Sequence, residues 1–311
     1  MGPSVAGLDL GSNTFSCAVL GRGPDGPVVL GDASVPVRLS AGLVPGGPLL
    51  PAAVERGLWT LERLARDFDL RGKPLRAVGT AALRMTADPR PFTAPASAIL
   101  GAPVEIIDAE AEALLTARGA LLGLPGGGSR VIIDIGGQST EVCWTGPDDP
   151  WRSRSLPLGV VALTARLLTR DPPAPADLAA LAKAVDALLE QGLPRDPPGA
   201  AVAVAGTATT LARLELGGGA FDRERIHGLG LDRGRVGAWL ERVAALDAAG
   251  RTRRFGIQAG RADVFPAGLV ILDRVLDHLG REEFVVSANG LRVGAALSIM
   301  REESDATRPG G

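Results

Sequence analysis

The 311-residue sequence is most informative where it is poor. It holds two cysteines (Cys17, Cys143), two histidines (His227, His278), two lysines (Lys73, Lys183) and no tyrosine. Two cysteines exclude a disulfide framework and a thiolate zinc cluster. Two histidines without ligand spacing leave His-rich metal centres and most histidine acid–base schemes short of parts. Neither lysine follows a GxxxxGKS/T loop, which excludes the P-loop nucleotide hydrolases, and no GxGxxG follows the first strand, which disfavours a dinucleotide fold. No apolar run approaches the roughly 20 residues that cross a bilayer. The opening residues 1–4 carry no basic segment, so no export signal is expected and the reducing cytoplasm is the expected compartment. The 33 basic and 35 acidic residues leave a net charge of −2, so neither nucleic acid nor a membrane is an expected partner.

What is present is a globular composition, 46% hydrophobic and 22% charged, at a length that suits two domains. Glycines and prolines punctuate the chain rather than forming low-complexity tracts. Apolar runs predict strands at 5–10, 14–20 and 28–37, and 3–4 spacing of Val54, Leu58, Leu61, Leu64 and Ala65 predicts a helix at 52–68. Short strands follow at 75–78 and 104–107, each leading into helical sequence. After the Gly-rich segment 125–129 the pattern restarts. Strands are expected at 131–135, 141–144, 153–156, 201–205 and 284–287. Helices are expected near 160–170, 176–191, 207–215, 232–245, 263–279 and 290–301. Three strands, then alternating helices and strands, occurring twice, predict an α/β protein of two related domains, 1–126 and 127–311.

The restart points share a motif. The first strand runs into Gly7-Leu8-Asp9-Leu10-Gly11-Ser12-Asn13-Thr14, the later one into Ile133-Asp134-Ile135-Gly136-Gly137-Gln138-Ser139-Thr140, and the two aspartates lie 125 residues apart. Each apolar strand delivers a carboxylate to its tip, and the glycine-containing turn lets backbone N–H groups approach an anion. Gly11, Ser12, Asn13 and Thr14, and Gly136, Gly137, Gln138, Ser139 and Thr140, are therefore candidate phosphate binders. A carboxylate beside phosphate repels it unless a cation mediates, so Asp9 and Asp134 are expected at Mg²⁺ or its waters. Between the two turns, Glu110 and Glu112 fall on one helix about 200° apart, so at most one of them points into a site. Arg84 offers a guanidinium suited to phosphate oxygens. The Arg251–Arg254 run is a candidate path for a polyanion.

The segments GLDLGSNT (7–14), GTAALR (79–84), VEIIDAEAEA (104–113), IIDIGGQSTE (132–141), LPLGVVALT (156–164), AVAGTATTLA (203–212), RADVFPAGLVIL (261–272) and SANGLRVGAAL (287–297) together resemble the Ppx/GppA phosphatase family. The resemblance implies two ribonuclease-H-like domains of the actin, Hsp70 and sugar-kinase superfamily, with an active site in the cleft between them. It selects Glu112 as the catalytic glutamate and supports a phosphate-holding role for Arg84. It implies Mg²⁺ at Asp9, Asp134 and Glu141. The implied activity is removal of the terminal phosphate of inorganic polyphosphate, with guanosine pentaphosphate as a further substrate; self-association as a homodimer is compatible with it. Two other readings stay open: a superfamily ATPase or small-molecule kinase using the Gly206–Thr210 region for adenosine, and a polyphosphate or alarmone sensor without turnover. Gln138, where the family reads glycine, keeps the sensor open.

Overall fold

The computed structural model describes residues 4–145 and 151–306, so residues 1–3 of the opening segment lie outside it. The chain divides into two compact units, one formed by residues 1–122 and 289–311 and one by residues 123–288.

In the first unit, β1 (Val5–Leu10), β2 (Thr14–Gly23) and β3 (Gly26–Pro36) form an antiparallel meander. Helix α1 (Pro51–Asp67) follows, with proline at its first position, where the missing N–H has no partner to lose. Of the predicted stripe, Leu61, Leu64 and Ala65 are buried and Val54 and Leu58 pack partly buried against the core, with Ala53 and Gly57 buried beside them. Then come β4 (Leu75–Gly79), α2 (Ala81–Met85), α3 (Arg90–Leu100), β5 (Val104–Ile106) and α4 (Ala109–Leu121). The sheet order is β3-β2-β1-β4-β5, with β4 parallel to β1 and β5 parallel to β4.

The second unit repeats this plan. An antiparallel trio, β6 (Arg130–Ile135), β7 (Thr140–Thr145) and β8 (Arg152–Leu156), leads to α5 (Val160–Leu167), α6 (Pro175–Gly192), β9 (Ala200–Val204) and α7 (Ala205–Glu215). After α8 (Arg223–Ile226), β10 (Leu229–Asp232), α9 (Arg233–Ala244), α10 (Ala248–Phe255), α11 (Ala259–Ala262) and α12 (Phe265–His278), the last strand is β11 (Glu283–Val286). The sheet order is β10-β11-β9-β6-β7-β8. Read from β8 to β11, it matches the first sheet strand for strand, with β10 added antiparallel at the edge. Val131, Ile132 and Ile133 on β6 are all buried, which is why this strand reads as a continuous apolar run rather than an alternation.

The domain division expected at 126/127 is corrected at both ends. The first crossing comes at Gly123, and the chain returns to the first unit at Asn289. The returning helix α13 (Leu291–Ala306) packs on β1 and α4 at backbone contact distance. A Cβ on Gly7 would lie 1.9 Å from the Arg292 carbonyl oxygen, and one on Gly119 2.1 Å from that of Gly290. One on Gly294 would lie 1.8 Å from that of Leu115. Small residues on three elements thus let α13 close the first core, where Val293, Ala296 and Met300 join Val5, Ala18 and Leu20.

The Arg251–Arg254 run is also corrected at its first residue. Arg251 is fully buried, donates to the Val243 and Ala262 carbonyls at 2.8 Å and pairs with Asp171 at 2.9 Å. Its guanidinium ties α10 to its neighbours instead of facing a polyanion. Among the described residues, no helix is long and apolar enough to cross a membrane.

Candidate functional site

The two motif turns are built alike. The Gly11 N–H donates to the Thr14 carbonyl at 3.1 Å, and the Gly136 N–H to the Ser139 carbonyl at 2.9 Å. A Cβ on Gly11 would meet the Thr14 oxygen at 2.8 Å, and one on Gly136 the Ser139 oxygen at 3.0 Å. Glycine is required for space at Gly11, and a side chain at Gly136 would crowd the turn.

Each turn is also tied from behind. The Ser12 carbonyl accepts from the Ser40 N–H, and the Asn13 carbonyl from the Val37 and Arg38 N–H groups. In the second unit the Gly136 and Gly137 carbonyls accept from Val160 and Val161 at the start of α5. In a trans peptide the N–H points opposite its own plane's C=O. The N–H groups of Asn13 and Thr14, and of Gly137 and Gln138, are therefore aimed away from these anchors. Successive N–H groups aimed the same way form an anion-receptive concavity.

Position by position the turns read Gly-Ser-Asn-Thr and Gly-Gly-Gln-Ser, so Gln138 stands where Asn13 stands in the first unit. Its backbone is outside the left-handed region, since Gln138 is not among the residues with positive φ. Glutamine therefore fits the turn without the strain that would demand glycine. Thr140 departs from expectation. It is fully buried and its hydroxyl donates to the Leu158 carbonyl at 2.6 Å, so that hydroxyl anchors β7 instead of lining the turn. The approach of α5 depends on Gly159, where a Cβ would lie 2.2 Å from the Gln138 backbone. Gly159 lies inside LPLGVVALT, where no local signal marks its packing on the turn.

The first unit links its turn to Arg84 and Glu112. The Ser12 hydroxyl accepts the Ala82 N–H at 3.1 Å, which fastens the turn to α2. From α2, Arg84 Nη1 donates to Glu112 Oε2 at 2.7 Å and to the Ile107 carbonyl at 2.7 Å. Glu112 lies in the first part of α4, whose N-cap Asp108 accepts the Ala111 N–H at 2.8 Å. It is buried, with a side chain 11% exposed, while that of Arg84 is 25% exposed. Glu110 belongs to the same helix, but the Arg84 contact is with Glu112. The Ile107 carbonyl was not foreseen, because a backbone acceptor has no sequence signature.

The aspartates stand on matching rungs. Asp9 lies opposite Ser16 across β1 and β2, and Asp134 opposite Glu141 across β6 and β7. Directly opposed residues of an antiparallel pair project to the same sheet face, so the second unit sets two carboxylates side by side. Glu141 is 3% exposed and accepts the Ser155 hydroxyl at 2.7 Å. Like charges so placed repel unless a cation offsets them. Two carboxylates on one face suit Mg²⁺, which takes few protein oxygens and keeps waters or phosphates as its other ligands. Among the described residues no group of three or more His, Cys, Asp or Glu could hold an ion. The expected trio of Asp9, Asp134 and Glu141 is thus a carboxylate pair in one unit and a single carboxylate on the equivalent rung of the other.

Comparison with known proteins agrees with this architecture. A guanosine-5'-triphosphate,3'-diphosphate pyrophosphatase of Aeromonas salmonicida is 30% identical over 97% of this chain and 60% of its own length. One of the same name from Vibrio vulnificus is 32% identical over 96% of this chain and 60% of its own. The chain thus spans about 60% of the length of these curated relatives. The crystal structure of the Aquifex aeolicus Ppx/GppA family member superposes with a TM-score of 0.81 at 25% identity, covering 97% of this chain and 98% of that one. That of an exopolyphosphatase-like protein superposes with 0.87 at 26% identity, covering 97% and 99%. The two mixed sheets and their helices are those of the actin, Hsp70 and sugar-kinase superfamily. The sequence model of the Ppx/GppA phosphatase family matches residues 23–303, and the chain belongs to that family.

Proposed function

We propose that the protein hydrolyses terminal phosphoanhydride bonds, releasing orthophosphate from inorganic polyphosphate and from the 5′ end of guanosine pentaphosphate. The observation that carries this reading is the buried Glu112 carboxylate held by Arg84 on the helix to which the Ser12 turn is fastened. The names of the relatives, a pentaphosphate pyrophosphatase and an exopolyphosphatase-like protein, support the two substrates.

Glu112 accepts a proton from the attacking water. The water oxygen bonds to the terminal phosphorus as the bridging P–O bond breaks; the shortened chain departs with the bridging oxygen, and orthophosphate is left. Arg84 holds Glu112 through Nη1 alone. Its Nε and Nη2 can meet phosphate oxygens without releasing the base, so proton acceptor and phosphate would lie side by side. The N–H groups of the turns hold further phosphate oxygens. Asp134 and Glu141 would hold Mg²⁺, which when bound supplies positive charge against those oxygens.

The test is phosphate release from long polyphosphate and from guanosine pentaphosphate with Mg²⁺, run side by side for the native protein and Glu112→Ala. Loss of about 10²-fold or more in kcat is expected for a removed general base. Undiminished release by the variant would sink the assignment. ATP-dependent phosphorylation of a sugar or acetate would replace hydrolysis with the kinase reading, and tight binding without release with the sensor reading.

A further inference from the structure

The rung that carries each aspartate extends one strand further, and there the two halves of the chain share a feature. In the first unit the rung runs Asp9–Ser16–Ser34 across β1, β2 and β3; in the second it runs Asp134–Glu141–Ser155 across β6, β7 and β8. Both end in a serine on the outer strand, and both serines bond the middle residue. The Ser16 and Ser34 hydroxyls are 2.9 Å apart, and the Ser155 hydroxyl donates to Glu141 Oε1 at 2.7 Å. The outer serine is thus the shared part, and the middle residue differs: a neutral hydroxyl in one half, a carboxylate in the other.

That difference changes what the outer serine does. Glu141 is buried and stands directly opposite Asp134, whose negative charge repels its own. Glutamate also has more rotatable bonds than its neighbour across the rung and is the harder of the two to hold still. Ser155 is exposed on the edge strand β8, and its hydroxyl restrains one oxygen of the buried carboxylate through a hydrogen bond to a charged acceptor, the stronger kind. We propose that Ser155 is a positioning residue that holds Glu141 in its working orientation during phosphoanhydride hydrolysis. This rests on the function proposed above. Ser34 makes the corresponding contact to an uncharged partner and has no such role.

The experiment measures kcat and KM for polyphosphate hydrolysis, with thermal midpoints, for Ser155→Ala, Ser155→Thr, Ser34→Ala, Glu141→Gln and the Ser155→Ala/Glu141→Gln double variant. Ser155→Ala should lower kcat about tenfold, with KM changed less than twofold and an unaltered midpoint. Ser155→Thr, which keeps the hydroxyl, should recover most of the loss, and Ser34→Ala should leave kcat unchanged. In the Glu141→Gln background Ser155→Ala should add nothing, since coupled residues are non-additive. Full activity in Ser155→Ala, or an unreduced further loss in the double variant, overturns the positioning role while the hydrolase reading stands. Full activity in Glu141→Gln overturns the role of Glu141, and the proposal with it.

Discussion

Arg84 and Glu112 lie 28 residues apart, and a single 2.7 Å contact joins them in the candidate site. Lysine at position 84 would keep a charge but lose the planar fork that allows one edge to hold Glu112 and another to hold phosphate. Arg84→Lys should therefore raise KM about tenfold and lower kcat as well, checked by steady-state phosphate release. The two cysteines make a separate prediction. Burial pushes the Cys17 thiol up to about 12, with Asp32 adding to the shift and Arg292 opposing it, and burial alone pushes Cys143 up to about 12. In the unfolded chain both ionise near 9, so the native state keeps its protons longer. The stability they contribute is complete below pH 9 and falls as pH rises from 9 to 12. Urea midpoints below and above pH 9 should show this decline, and replacing both cysteines by alanine should flatten it. At this scale the sequence displayed Arg84, Glu112, Asp134 and Glu141 but gave no sign of Ser155. Helical phase alone left the choice between Glu110 and Glu112 open, and the family motif selected Glu112, the one that meets Arg84.

Among elements, the two strand–turn–strand units are the candidate phosphate binders, and each has its carbonyls held from behind. For the second turn that support is the start of α5, admitted by Gly159. Gly159 has φ −97°, so the position requires glycine for space rather than for backbone freedom. Gly159→Ala should push α5 off the turn, costing about 2–3 kcal/mol of stability as overpacking does. It should also lower kcat/KM, even though residue 159 touches no substrate; urea unfolding and phosphate release measure the two effects. The strands were legible because buried runs such as Val131–Ile132–Ile133 announce themselves. The four-residue edge strand β10, interrupted by Gly230, was not, because so short a strand is defined only by pairing with β11. Helix α10 was hidden for a related reason. Its Arg251 looks like surface charge in sequence and is in fact a buried tie between elements.

At the scale of the whole molecule, the chain's last helix belongs with its first strand. Deleting residues 289–311 removes the segment that covers Val5, Ala18 and Leu20 and should leave the first unit unable to fold cooperatively. The second unit, whose large core lies wholly within residues 123–288, should retain its protection. Hydrogen exchange resolved by segment would separate these outcomes; uniform protection across both units would refute the division. The sequence by itself determined that the chain is α/β, that its plan occurs twice, and which motif marks each occurrence, because apolar periodicity and glycine-bearing turns are local properties. Only the tertiary structure decided the return of α13, the burial of Thr140 and Arg251, the Arg84–Glu112 pair and the Ser155–Glu141 contact. Each of these depends on which surfaces meet across long stretches of chain, and the packing of the whole molecule settles that.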